Sequence, residues 1–242
     1  MIGVILAAGM AKRLRPLTDN KPKCLLKVGE RTLLERTVDA MTAVGVTEFI
    51  VVTGYCADQI RDFLAQHFAD VSFEFLHNAD YEHNNNIYSL WMATKRVGGS
   101  EFLLMDSDIL CDPAAVSAIA SLKESALAVN RHELGDEEMK VVVDADGRIT
   151  AISKTCDPAE AMGESVGIEH FTADYSRALA AELDRMIVSE GLIDIFYERA
   201  FERLIPQGHT FRVVDTTAFF SYELDTPEDF RWAQELMPRE LL

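Results

Sequence analysis

The sequence predicts an α/β protein: a three-layer α/β/α arrangement with a mainly parallel, mixed sheet and a small antiparallel extension. Two observations lead there. Short apolar runs alternate with amphipathic helical stretches through the first half of the chain, joined by short connections, which is the pattern of right-handed β-α-β crossovers with helices on both faces of a sheet. The second half changes to clustered strands and a hairpin signal, which adds antiparallel pairing.

Taken in order, Ile2–Ala7 is an apolar run stopped by Gly9, as a fully buried strand would be. Thr32 and Glu35 form a capping box before Leu33, Leu34, Val38 and Met41, which recur at helical spacing until Gly45. Phe49–Thr53 is the next strand, Asp58–Phe68 a helix, Val71–Leu76 a strand and Asn84–Val97 a helix. Phe102–Met105 is a fourth strand ending in Asp106-Ser107-Asp108, and Asp112-Pro113 opens another helix with proline in its first turn. Ala126–Asn130, Lys140–Val143 and Ile149–Ser153 are strands, the last two joined by the turn Asp144-Ala-Asp-Gly147, and Ser165–Phe171 is another. Helices near Ala173–Glu190 and Asp194–Ile205 precede closing strands at Phe211–Val214 and Phe219–Glu223. Thr226 caps a last helix with Pro227 at its first position and acids facing the positive dipole end. No linker or repeat interrupts this, so residues 1-242 are expected as one domain, with halves of about 1–112 and about 113–242.

Composition narrows the function. The net charge of −17 repels nucleic acid and anionic membrane, so neither is an expected partner. No apolar stretch is long enough to span a bilayer, and the N-terminal apolar run precedes its basic residues, the reverse of a secretory signal. Cys24, Cys56, Cys111 and Cys156 are scattered, without a CxxC pair or zinc-type Cys/His spacing, which implies a reduced, cytoplasmic protein. Against the acidic background, Lys12, Arg13, Arg15, Lys21, Lys23 and Lys27 crowd the first 27 residues. They are either a solvated loop or a site for an anion.

The first strand runs into Ala7-Ala8-Gly9-Met10-Ala11-Lys12-Arg13, small residues that let backbone N–H groups approach phosphates, followed by cations to hold the oxygens. Both GxGxxG and GxxxxGK[ST] are absent, which removes the common dinucleotide and P-loop readings. LAAGMAKRLRPLT with KPKCLLKVGERTLLERTVDAM, then NNNIYSLW, MDSD, YERAFERLI and ELDTPEDF together resemble the nucleotidyltransferase superfamily, the sugar-phosphate nucleotidyltransferase-like enzymes, and among them the bacterial CTP:phosphocholine cytidylyltransferases most. The resemblance spans nearly the whole chain in the expected order, and implies a Rossmann-like nucleotidyltransferase fold.

It further implies that Ala7, Ala8 and Gly9 contact the nucleotide through backbone. Arg13, helped by Lys12, would bind the β- and γ-phosphates, and Lys23 the α-phosphate in the transition state. Asp108 and Asp225 would hold Mg2+, with Asn86 and Ser89 beside the nucleotide. Charge supports this assignment, because attack of a phosphate oxygen on an α-phosphorus brings two anions together and needs cations on both. Hard carboxylates are the ligands magnesium prefers. The chain departs from the family's GGxGTRL loop, with a single Gly9 and Ala11 where glycine often stands, which points toward the cytidylyltransferases and CTP.

For the acceptor, Asp194, Phe196, Tyr197 and Glu223 supply the aromatic and acidic types that hold a quaternary ammonium, as in phosphocholine, or are core residues. Lys140, Lys154 and Glu164 resemble the acceptor half of 2-aminoethylphosphonate cytidylyltransferases, where the lysines would clamp a phosphate or phosphonate, or else they face solvent. The expected reaction is therefore transfer of CMP from CTP to a small phosphorylated acceptor, phosphocholine or a similar amino-alcohol phosphate, with the nucleotide bound by about 1–112 and the acceptor by about 113–242. Its rivals are a sugar- or polyol-1-phosphate nucleotidyltransferase and a non-catalytic nucleotide-binding subunit, the last disfavoured because Lys23, Asp108 and Asp225 are all present. Trp232 and Met237 in the last helix either serve a homodimer or pack inward.

Overall fold

The computed structural model describes residues 1–241. The first half contains β1 (Ile2–Ala7), the small hairpin β2 (Lys27–Val28) and β3 (Arg31–Thr32), α1 (Leu33–Ala43), β4 (Glu48–Thr53), α2 (Ala57–His67), β5 (Ser72–His77), α3 (Asn86–Val97), β6 (Phe102–Asp106), β7 (Ile109–Cys111) and α4 (Pro113–Ala120). The second contains β8 (Ala126–Asn130), β9 (Lys140–Val143), β10 (Ile149–Ser153), β11 (Gly163–Phe171), α5 (Ala173–Asp184), α6 (Glu198–Leu204), β12 (Arg212–Asp215), β13 (Ser221–Glu223) and α7 (Pro227–Leu236).

Nine of these strands form one sheet, with the path β10-β9-β11-β6-β1-β4-β5, and β8 and β12 joined at the side of β11. β1 lies parallel between β4 and β6, and β5 continues the parallel part. β11 runs antiparallel to β6 and carries β8 and β9. Alternate residues of β1 explain the three layers. Val4 and Leu6 pack under α3, α5 and α6 with Ile87, Leu90, Leu179 and Phe201, while Ile5 and Ala7 pack under α1, α2 and α4 with Leu34, Val38, Ile60 and Val116. A strand covered on both faces must be apolar at successive positions, which is what the run Ile2–Ala7 encodes.

Several boundaries shift for local reasons. Thr32 caps α1 by accepting from the Glu35 N–H at 3.0 Å, but the Glu35 side chain accepts from Arg31 instead of closing the box. The reciprocal box forms at α7, between Thr226 and Asp229. The helix expected from Asp194 begins only at Glu198, because the preceding segment is drawn to the N-terminus of α3: the Ile193 carbonyl accepts from the Asn85 N–H, and Asn86 Oδ1 from the Tyr197 N–H, both at 2.9 Å. The helix near Ala173–Glu190 is α5 followed by a wider π turn at Arg185–Ser189. The two closing strands are not neighbours: β12 adds in parallel to β8, whereas β13 leaves the main sheet and pairs with β7. Just after α7, Met237 packs inward at 5% exposed, while Trp232 within the helix stays 46% exposed.

Candidate active site

Strand order reverses at β1, whose two neighbours belong to opposite directions of the chain's winding, and a crevice opens outside the carboxyl ends of β1 and β6, where ligands of such sheets bind. Their register sets Leu6 opposite Asp106, so the turn after β1 faces the Asp106–Asp108 turn across a cleft of about 870 Å³.

Ala8, Gly9, Met10, Ala11, Lys12 and Arg13 line one wall of this cleft. A Cβ on Gly9 would meet nothing within 4 Å, so its backbone is open to an approaching ligand. Ala11 adopts the left-handed conformation, φ 46° and ψ 52°, at the position where a glycine is common in the resembled family. The turn is pinned there by Thr18 Oγ1 donating to the Ala11 carbonyl at 2.9 Å. Ala7, the last residue of β1, turns its side chain into the core and is not among the residues bordering the cleft, while the contact expected of it is through backbone.

Lys23 starts a short 3-10 turn and is 8% exposed. Its Nζ donates to Asp108 Oδ2 at 3.1 Å and to Asp225 Oδ1 at 2.9 Å, and Arg13 donates to Asp225 Oδ2 at 2.6 Å. Four residues separated by up to 212 positions thus share one point. The β7–β13 ribbon accomplishes this: Glu223 pairs with Ile109, and the Leu224 N–H donates to the Asp108 carbonyl, so Asp225 arrives beside Asp108. Burial works against the charge on Lys23, but Asp108 and Asp225 more than reverse it and hold its pKa above the usual lysine value.

Glu223 joins the same cluster. One carboxylate oxygen from each of Asp108, Glu223 and Asp225 lies within 4.8 Å of the others. Solvent reaches Glu223 through the open cleft, yet the surrounding protein, and then the charges of Asp108 and Asp225, push its carboxyl up to about 8. Concentrated hard anionic oxygens of this kind suit a divalent cation better than they suit one another. Glu223 was expected at the acceptor; the structure sets it with the two aspartates.

On the opposite wall Asn86 and Ser89 border the cleft, each already engaged. Asn86 Oδ1 accepts from the Tyr197 N–H, and the Ser89 hydroxyl accepts from Asn78 Nδ2 at 3.3 Å. Asn78 itself, 2% exposed and bonded to Asn84, was not singled out in the sequence, since one asparagine after a strand carries no signal.

The acceptor residues divide. Lys154, Glu164, Phe196 and Glu223 line the cleft. Lys154 is held by Glu137 at 3.3 Å and lies 4.8 Å from the centroid of the Phe196 ring, and Glu164 accepts from His132 at 2.8 Å. Lys140 does not reach the cleft: strand alternation turns it inward, 2% exposed, where its ammonium ties the Gly135 and Glu138 carbonyls. Asp194 points to solvent outside the cleft. The Tyr197 ring is wholly buried against Phe201, with its hydroxyl donating to Asp106 Oδ2 at 3.0 Å, so it offers no face to a ligand. Asp106 and Glu198 border the cleft instead. Burial, then Asp108 and Glu198, raise Asp106 well above the carboxylate range.

An open small-residue turn, cations beside it and three converging carboxylates define a nucleotidyl-transferring enzyme. The chain belongs to the MobA-like NTP transferase domain family, whose model matches residues 3–204. It is 29% identical over 240 residues to the CMP-5'-(3-aminopropyl)phosphonate synthase of Streptomyces rubellomurinus, covering 95% of this chain and 38% of that protein. It is 23% identical to the choline-phosphate cytidylyltransferase of Streptococcus pneumoniae, covering 99% of this chain and 100% of that one. The fold is shared with the solved CTP:phosphocholine cytidylyltransferase from Streptococcus pneumoniae, with a TM-score of 0.82 at 24% identity over 98% of this chain and 99% of that chain. No helix among the described residues is long and apolar enough to cross a membrane.

Proposed function

We propose that this protein transfers CMP from CTP to a small acceptor bearing a phosphate or phosphonate, releasing pyrophosphate, with Mg2+ as its metal. The observation that carries the proposal is the Lys23 ammonium held between Asp108 and Asp225 at the mouth of the turn that follows β1. Cytidylyltransferases acting on choline phosphate and on 2-aminoethylphosphonate among the relatives support the choice of base and acceptor.

The residues divide the work by charge. The turn Ala8–Arg13 would receive the triphosphate, its open backbone at Gly9 allowing close approach and Lys12 and Arg13 neutralising the leaving pyrophosphate. Lys23 would stabilise the charge that builds on the α-phosphate oxygens. No general base is needed, because the attacking phosphate oxygen is already ionised. Asp108, Asp225 and Glu223 are the groups that would hold Mg2+; bound there, the ion would supply charge neutralisation to the phosphates. Four free cysteines suit a reducing compartment, the cytoplasm. Pairing of two copies through the exposed Trp232 and Leu236 of α7 is a further proposal, which light scattering would check.

The test is pyrophosphate release from CTP, UTP, GTP and dTTP, each with phosphocholine, 2-aminoethylphosphonate, glucose-1-phosphate and inositol-1-phosphate, with and without EDTA. Turnover should require CTP and a divalent cation. Activity with UTP and glucose-1-phosphate but none with CTP would overturn the reading.

A further inference from the structure

The acceptor end of the cleft contains carboxyl oxygens for which the protein provides no donor. Glu198, the first residue of α6, borders the cleft at 8% exposed, and its Oε2 has no hydrogen-bond partner among the described residues. Glu169 on β11 is fully buried, with both carboxyl oxygens unpartnered. Asp106, which also borders the cleft, receives one bond, from Tyr197. An unmade hydrogen bond to a buried polar group costs about 1–3 kcal/mol, and more for a charged one. A donor entering from the cleft would meet Glu198 and Asp106, which border it, whereas Glu169 does not.

Neither the basic nor the aromatic groups nearby serve that need. Lys12, Arg13 and Lys23 stand at the nucleotide end, and Lys154, whose charge reaches Glu198, makes no hydrogen bond to it, being paired with Glu137 and the face of Phe196. A quaternary ammonium has no N–H to give and is held by aromatic faces instead. Here the Phe196 face carries Lys154 and Tyr197 is buried, so only the Tyr222 ring is left among these three, one face and not a cage. A sugar offers donors but carries no charge to strengthen a hydrogen bond to a carboxylate. A protonated primary amine offers three donors and the balancing charge.

Resting on the cytidylyl-transfer reading, we propose that the acceptor is a short phosphate or phosphonate ending in a hydrogen-bearing ammonium, and that Glu198, with Asp106 beside it, selects that group. The choice runs against the aromatic cage for phosphocholine expected from the sequence, and it makes Glu198 a specificity residue.

The test is a graded series. Pyrophosphate release from CTP and Mg2+ is measured with phosphoethanolamine, its mono- and dimethyl derivatives, phosphocholine, 2-aminoethylphosphonate and glucose-1-phosphate. The amines should be the best acceptors, with kcat/KM falling at each N-methylation and by roughly 100-fold or more at the trimethyl end, because a site built to bond an N–H strongly rejects the analogue lacking it. Glu198→Gln should flatten that series, chiefly through KM of the amine acceptors. Phosphocholine or glucose-1-phosphate used as well as phosphoethanolamine would overturn the proposal, as would a Glu198→Gln variant that keeps the full gradient. The wild-type series alone decides selectivity should the variant fold poorly. Silence with every acceptor would strike the cytidylyltransferase reading beneath it, whereas turnover with the wrong acceptor order strikes only this inference.

Discussion

Replacing Lys23 with methionine is the most demanding trial of the active-site geometry. Methionine keeps most of the buried stem and removes only the charge. In the wild type that charge lies 3.1 Å from Asp108 and 2.9 Å from Asp225, where each attraction is on the order of 5 kcal/mol at an effective dielectric of about 20 before desolvation is subtracted. The two carboxylates are about 30% exposed, so water recovers much of this on removal and a net loss of about 2–3 kcal/mol remains. For a chain of this length that lowers Tm by roughly 5–10 °C in EDTA. Added Mg2+ should restore part of it, since a divalent cation can replace the ammonium among the acids. The rate should suffer more: losing one fixed positive group at a developing anionic charge costs about 10²–10³ in kcat, with KM for CTP changing less than about tenfold. Differential scanning calorimetry and steady-state pyrophosphate release read the two effects separately. A folded Lys23→Met protein with kcat within a few-fold of wild type would refute the assignment of Lys23 to the transition state.

Asp225→Asn and Asp108→Asn should each weaken Mn2+ binding at least about tenfold, followed by electron paramagnetic resonance of the free ion; unchanged binding would show that the three converging carboxylates do not hold the metal. Ala11→Gly should raise stability by about 0.5–1 kcal/mol, because the left-handed backbone at φ 46° strains a Cβ by more than glycine's extra unfolded entropy costs; a lower midpoint in urea would contradict the strain. Burial raises the Glu198 carboxyl from near 4.5 to about 7. The folded protein therefore holds a proton that the unfolded chain releases, and stability falls as pH rises from about 4.5 to 7, by about 3 kcal/mol from this group. Glu198→Gln should remove that part of the decline in urea melts taken across the window, and an undiminished slope would place the proton elsewhere.

The parallel half of the fold was legible because burial on both faces demands unbroken apolar strands, as Ile2–Ala7 and Phe102–Met105 are, and because caps such as Thr32, Asp112 and Thr226 act within three residues. Local signals also marked Gly9, Lys23 and Asp108. They failed where distant backbone intervened: Asp194–Tyr197 reads as helix, yet asparagines more than 100 positions earlier hold the Ile193–Tyr197 segment out of it. Lys140 and Lys154 look alike in sequence, but Lys140 lies in β9 with its side chain in the core, whereas Lys154 stands in the turn after β10 and lines the cleft. Residue types and order sufficed for the sheet, its helices and the family, since periodicity and capping are short-range. The convergence of Asp225 and Glu223 on Asp108, and the unpartnered carboxyl of Glu198, arose only from tertiary pairing, because hydrogen-bond satisfaction and electrostatic proximity depend on which distant segments meet.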